Sequence, residues 1–375
     1  MKGVLFTFII SLHLIKSFVV IEKPPDELIS VAVVSSLFSI LFFRHGDRSP
    51  TKSFPNDKYF DLRYWPMGFG QLTEYGIDRQ YKLGQWFRSR YNSFLSEEYS
   101  PNDIHVYSTD VDRTLMSAAA NLAGFYPPKN DQIWNQNLLW RPIPIHTSPR
   151  IKDDIITRKR NCPKYDKHYE KVKESDFFKA INKNYSDFYN LVSEYTGWKV
   201  KNIGEIRTLR SVLYCYKNYN VSFIPEWAPT LDQSVLDYLS GLAYQRNSYT
   251  KKLKRLGIGP FFDYLFSHFD NVTTNVSSTR FLMMSGHDTS LTSILNAMGV
   301  FDLQPINFAE VVIWELKRKV DTKSFYINLY QRKSEDDLVQ LRIEGCEFDC
   351  GYEDFKRIMK PISINIHDWE KECFE

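Results

Sequence analysis

The segment Leu37 to Phe43 is apolar except for Ser39, and it ends abruptly on Arg44-His45-Gly46-Asp47-Arg48-Ser49-Pro50. A run of this length and composition reads as a buried β-strand. It delivers a histidine and two arginines directly to a strand end. Two later segments repeat the arrangement. Ile104 to Tyr107 reads as a short strand running into Ser108 to Arg113, and Arg280 to Met284 as a strand running into Ser285-Gly286-His287-Asp288. Helical patterns follow the three strands, over Thr73 to Tyr91, Val111 to Ala123 and Asp288 to Met298. In the second of these Val111, Leu115, Ala119 and Leu122 share a face, and Asp110 is placed to cap the N-terminus. Strand–helix alternation implies a parallel sheet with helices on its faces. In such sheets the functional crevice lies beyond the carboxyl ends of the strands. The three polar clusters are therefore expected at one end of one sheet.

The stretch from about Ile145 to Gly259 changes character. It is rich in Lys, Tyr and Asn, shows little β-alternation, and reads as a mostly helical insertion. The strand–helix pattern then resumes, and Phe308 to Lys317 and Phe325 to Gln331 partly alternate as paired strands do. The expected architecture is α/β: a three-layer, doubly wound sheet domain built from residues 37–145 and 260–375, with a smaller, mainly helical cap at 146–259. A length of 375 residues, 43% hydrophobic and 25% charged, suits such a chain and excludes disorder, collagen and a disulfide mini-scaffold. Net charge is 48 − 45 = +3, too balanced for a dedicated nucleic-acid binder, so no nucleic-acid partner is expected.

At the N-terminus, Met1 and Lys2 precede an apolar run from Val4 to Leu14, followed by Lys23-Pro24-Pro25-Asp26. This reads as a secretory signal peptide over about residues 1–20. The run is too short to span a bilayer, which takes about 20 residues. The role of Leu28 to Ser36 is open. Sequons at Asn184, Asn220, Asn271 and Asn275 fit a glycosylated protein that is secreted or held in the lysosomal lumen. Asn271 and Asn275 are expected on a polar loop. Of five cysteines, Cys346 and Cys350 form a C-x3-C pair, either a metal half-site or a small disulfide loop. A zinc site needs two more ligands at similar spacing, and the sequence offers none, so no metal is expected. In a secreted chain the disulfide is favoured, and an odd count leaves one thiol over.

Three potential cations within Arg44 to Arg48 repel one another unless an anion is expected there. The pattern R-H-G-x-R-x-P arises by chance in about 1 in 10⁴ chains of this length at average composition. Arg113 falls in the first turn of its helix, where the dipole disfavours a cation. A bound anion is its natural partner, the alternative being a pair with Asp110 or Asp112. Asp288 alone reads as a helix cap. Together with the first cluster, His287-Asp288 becomes specific. No phosphate-binding P-loop, dinucleotide fingerprint or serine nucleophile elbow occurs.

Arg44 to Pro50 together with Gly286-His287-Asp288 resembles the histidine acid phosphatases, the branch related to phosphoglycerate mutase. Trp65 to Thr73 and Ser108 to Ala118 resemble its animal members, the prostatic, lysosomal and insect venom enzymes. The resemblance covers about Leu37 to Cys373. It implies an α/β domain with a smaller helical domain, hydrolysis of small-molecule phosphate monoesters, no cofactor, and a homodimer. His45 would be the nucleophile. Arg44, Arg48, Arg113 and His287 would bind the phosphate, and Asp288 would protonate the leaving alcohol. Neighbouring arginines would keep His45 neutral in acid, so the expected optimum is acidic. The resemblance also implies disulfides Cys162–Cys373 and Cys346–Cys350. The usual partner of Cys215 would fall near Ala309, where there is no cysteine, so Cys215 is expected to be free. The chain carries no apolar tail after Cys373, so no stable membrane anchor is expected. Phosphatases specialised for inositol phosphates or lysophospholipids, and a non-catalytic secreted ligand-binding relative, are the alternatives.

Overall fold

Apolar residues that alternate along each strand supply two separate cores, one on each face of a sheet. In β1 (Ser35–Arg44), Phe38, Ile40 and Phe42 join one core, while Leu41 and Phe43 join the other. The computed structural model describes residues 35–157, 160–277 and 279–375. The expected signal peptide at 1–20 and most of Leu28 to Ser36 lie outside them. After β1 come α1 (Glu74–Arg90), β2 (Ile104–Ser108) and α2 (Asp112–Phe125). Six helices follow: α3 (Pro163–Lys173), α4 (Asp176–Asn184), α5 (Ser186–Thr196), α6 (Ile203–Tyr219), α7 (Gln233–Gln245) and α8 (Lys251–Thr273). The sheet resumes with β3 (Phe281–Gly286), α9 (Asp288–Ala297), β4 (Val311–Arg318), β5 (Phe325–Ser334), β6 (Asp337–Leu341) and β7 (Cys350–Gly351). Two short helices, α10 (Tyr352–Met359) and α11 (Ile366–Phe374), close the chain.

The strand order is β2-β3-β1-β4-β5-β6, with β7 also on β5. The sheet is mixed rather than parallel throughout. β1 and β2 both run parallel to β3, whereas β4, β5, β6 and β7 pair antiparallel. Short connections explain this: β4 to β5 and β5 to β6 are hairpins, which parallel strands cannot form. One core faces α8, α9 and α10, and the other faces α1 and α2, giving three layers. Close approach of α1 to α2 requires glycine. A Cβ on Gly84 would lie 1.9 Å from the Asn121 carbonyl oxygen.

A third apolar cluster is built from α5, α6 and α7, with Val172 from α3 and Phe178 from α4. Phe54 and Trp65, which the sequence reading assigned to the sheet segment 37–145, are buried in this helical core. The expected boundary at 259/260 falls inside α8, which runs unbroken through Pro260. Proline has no N–H for the carbonyl of Leu256, four residues back. The Trp369 indole N–H of α11 donates to that carbonyl instead, at 2.8 Å. Several local expectations shift as well. Asp110 does not cap α2: Val111 is the cap residue, and the turn is tied by Thr114, whose hydroxyl donates to the Thr109 and Val111 carbonyls. Asn271 lies in the last turn of α8 rather than on a loop, with Asn275 just beyond it. Asn184, Asn220, Asn271 and Asn275 are all exposed.

Cys162 bonds to Cys373 and Cys346 to Cys350, while Cys215 is free and buried. The first bridge ties the start of α3 to α11 across 211 positions, and the second spans 4. In the loop-entropy account stabilisation grows with the logarithm of loop length. Replacing Cys162 and Cys373 together with alanine is expected to cost about 5 kcal/mol, and replacing Cys346 and Cys350 about 2 kcal/mol. Guanidinium unfolding free energies, each from its own midpoint and m, measure both. The reverse order of the two losses would contradict the account.

Candidate active site

The carboxyl ends of β1, β3 and β2 lie level. Arg44 pairs with Gly286 and Ser108 with Ser285 in the strand register. Backbone bonds continue past the strand ends, from His45 N–H to Gly286 and from Thr109 N–H to Ser285. All three polar clusters therefore meet at one edge. Gly46 lets its loop press onto the start of α1, since a Cβ there would lie 2.4 Å from the Gly76 carbonyl oxygen. The Gly46 N–H donates to Ser117 of α2, and the Asp47 carboxylate pairs with Arg79 of α1 at 2.7 Å. The loop is thus held from both helices.

His45 is 2% exposed. Its Nδ1 lies 2.8 Å from the Gly46 carbonyl oxygen. A carbonyl can only accept, so Nδ1 carries the proton and Nε2 keeps its lone pair. Burial, then Arg113, Arg44, Arg48 and His287, push the imidazole well below its ordinary pKa. His45 is therefore a neutral base even in acid. The His287 ring lies 5.6 Å away, centre to centre, and its Nε2 meets the Thr109 hydroxyl at 3.1 Å. Burial and then Arg113 push His287 down to about 3.

Each arginine is held by neutral or single partners. Arg44 donates to the Ile306 carbonyl at 2.6 Å, pairs with Asp288 at 3.0 Å, and lies over the Phe308 ring at 4.3 Å. Arg48 donates to Ser49 O, to the Ser211 hydroxyl at 3.1 Å and to Cys215 Sγ at 3.5 Å. Arg113 donates only to the Gly70 carbonyl among the described residues, at 3.3 Å. Its alternative partners Asp110 and Asp112 form no ion pair with it, and Asp112 instead accepts from Gln71. Burial and then Arg48, with Arg44 and Arg150 adding and Asp288 opposing, push the Arg113 guanidinium down to about 10. An arginine driven this far marks a place where positive charge exceeds its compensation.

Asp288 begins α9 and receives a hydrogen bond from the Tyr244 hydroxyl at 2.9 Å. Burial alone would raise its carboxyl, but Arg44 and Arg48, with the Tyr244 bond and Arg207, outweigh that and hold it below the usual range. An open cavity is bounded by Arg48, Lys52, Arg207, Ser211, Tyr244, Asp288 and neighbouring residues. No group of three or more metal-binding side chains occurs among the described residues.

All six site residues read from the sequence, His45, Asp288, Arg44, Arg48, Arg113 and His287, thus converge on one buried, electropositive end of the sheet. Sequence reasoning missed Tyr244, Ser211 and Arg207. They lie on α6 and α7, where no motif flags them. The one available signal was the spacing Arg207, Ser211, Cys215, which puts three polar groups on one stripe of α6.

A family model described as the histidine phosphatase superfamily (branch 2) matches residues 37–341. The chain is 35% identical over 343 residues to the lysosomal acid phosphatase of Xenopus laevis, covering 90% of this chain and 78% of the relative. It is 34% identical over 351 residues to human prostatic acid phosphatase, covering 92% and 89%. Among solved structures, the apo phytase of Hafnia alvei shares the fold with a TM-score of 0.67 at 15% identity, covering 90% and 98%. The chain therefore belongs to branch 2 of the histidine phosphatase superfamily.

Because Arg113 is charged against its surroundings, Arg113→Met is expected to leave the ligand-free protein as stable or more stable. Inorganic phosphate at about a hundred times its Kd is expected to add about 2.7 kcal/mol to the native protein and far less to the variant. Urea unfolding with and without phosphate reads both effects. A variant that loses stability without phosphate would refute the charge-excess account of this site.

Proposed function

We propose that this chain is an acid phosphatase that hydrolyses phosphate monoesters through a phosphohistidine on His45, with Asp288 as general acid. One observation carries the reading. A neutral, buried imidazole presents an unprotonated Nε2 amid three arginines, one of them, Arg113, short of compensating charge, and one carboxylate. The names of the sequence relatives agree with it.

In this reading the phosphoryl oxygens bind Arg44, Arg48 and Arg113, which offset the charge of the transition state. His45 Nε2 attacks phosphorus, the P–O bond to the alcohol breaks, and Asp288 protonates the leaving oxygen. Water then attacks the phosphohistidine. Asp288 takes up its proton and His45 leaves as the neutral imidazole.

The ligand-free carboxylate is too acidic to hold a proton, because Arg44 and Arg48 outweigh its burial. A bound phosphate offsets those same arginines. The Asp288 pKa then rises and a proton is taken up with the substrate. His45 needs no such help. Acid therefore favours the general acid without disabling the nucleophile, which places the optimum on the acid side.

Two disulfides suit an oxidising compartment. Together with the N-terminal signal they support a secreted or lysosomal-lumen location. No helix among the described residues is long and apolar enough to cross a membrane.

His45→Ala is expected to abolish turnover and the acid-labile phosphoenzyme trapped from the native protein. Full activity in that variant would end the proposal. Asp288→Asn should slow alkyl phosphates by about 10²–10⁴-fold. The loss should be far smaller for 4-nitrophenyl phosphate, whose leaving group needs no proton. Tyr244→Phe removes a bond that favours the Asp288 carboxylate. The alkaline limb of its kcat–pH profile should therefore move up, by about one pH unit.

A further inference from the structure

A single phosphate accounts for Arg44, Arg48 and Arg113, yet the cavity holds more positive charge. Lys52 and Arg207 also line it, and Asp288, the one carboxylate among its lining residues, is paired with Arg44. Arg207 is half-buried. Among the described residues its guanidinium makes no hydrogen bond or close ion pair; it lies against the face of the Tyr244 ring, 5.2 Å from the guanidinium carbon, and acts on Asp288 through space. Arg210, three residues on, shows the ordinary outcome: it pairs with Asp237 at 2.9 Å. A half-buried guanidinium held against a ring, with no carboxylate hydrogen-bonded to it, leaves its donors open to a ligand.

Helix geometry sets where such a ligand would sit. Arg207, Ser211 and Cys215 occupy successive turns of one α6 stripe. Arg48 rests on the second and third, through Ser211 and Cys215. Arg207 is one turn further out, roughly 6 Å along the axis from Ser211 at 1.5 Å per residue. A phosphate held by Arg48 therefore leaves Arg207 facing whatever the ester carries about one helical turn away.

We propose that Arg207 reads a second anionic group on the substrate, a carboxylate or a phosphate joined to the scissile ester through a short carbon chain. Its place over Tyr244, whose hydroxyl donates to Asp288, puts the second anion beside the general acid as well. The preferred substrates are then phosphate esters with an acidic arm, ahead of neutral alkyl esters of the same size. This inference rests on the acid phosphatase reading above.

The test compares propyl phosphate, 3-phosphonooxypropanoate and propane-1,3-diyl bisphosphate, which share one skeleton. It is run at pH about 5, where a carboxylate of pKa ~4.3 is ionised. In the native protein kcat/KM is expected to be about tenfold higher for at least one acidic ester than for propyl phosphate. A gain for the bisphosphate alone identifies a phosphate site, and a gain for both identifies a general anion site. In Arg207→Gln the ratio should fall to within about twofold of unity, and Arg207→Lys should restore part of it. Taking the ratio within each variant cancels any change in the chemical step. A native ratio near one overturns the inference, and so does a preference that survives Arg207→Gln. If the native protein fails to hydrolyse even propyl phosphate and 4-nitrophenyl phosphate, the acid phosphatase reading itself has failed.

Discussion

Repulsion among Arg44, Arg48 and Arg113 around an uncharged His45 is the interaction on which the remaining features of the site depend. Burial and its neighbours push the Arg113 guanidinium down, and among the described residues Asp288, paired with Arg44, supplies the close opposing charge. Such a cluster survives only when the scaffold holds it rigidly and supplies neutral acceptors. Carbonyls of Ile306, Ser49 and Gly70, the Ser211 hydroxyl and the Phe308 ring do so here. The free energy stored in that arrangement is released when an anion arrives, which is why binding and stability oppose each other at Arg113.

The mixed sheet provides the rigidity. β1 lies between β3 and β4, and both of its faces are buried in aliphatic and aromatic side chains. The polar cluster that follows it therefore starts from a fixed point. Level strand ends bring His287 and Asp288 from β3 and α9, and Arg113 from α2, to the same edge without long or irregular connections. The helical segment then covers that edge from above. Its α6 holds Arg48 through Ser211 and Cys215, and its α7 holds Asp288 through Tyr244. Site groups at the sheet edge and supporting groups on the helices are thus joined by hydrogen bonds.

Short-range patterns were legible because local physics dictates them. Apolar runs over Leu37–Phe43, Ile104–Tyr107 and Arg280–Met284 mark the strands to within a few residues, since a segment buried on both faces has few other conformations. Pairing of β4 with β5 was visible in their alternation, and the structure supplied its antiparallel sense. The capping of α2 was misread because Asp110 is a good cap by type, whereas Thr114 closes the turn through contacts that no residue preference encodes. The domain boundary read at 259/260 falls inside α8, which continues through Pro260. Proline normally interrupts a helix, but here Trp369, more than a hundred residues away, satisfies the freed carbonyl.

The sequence by itself singled out which residues meet at the site, because a histidine with three arginines and an aspartate at strand ends has few uses other than holding a phosphate. Tertiary structure alone decided their states. The Gly46 carbonyl selects the His45 tautomer, shared burial removes the imidazole charge, and Arg44 strips the proton from Asp288. It also decided that Arg207 makes no close ion pair among the described residues at the cavity wall while Arg210, on the same helix, does. Charge and proton position depend on distances between groups far apart in the chain, and those distances exist only once the strands and the helical cover have packed.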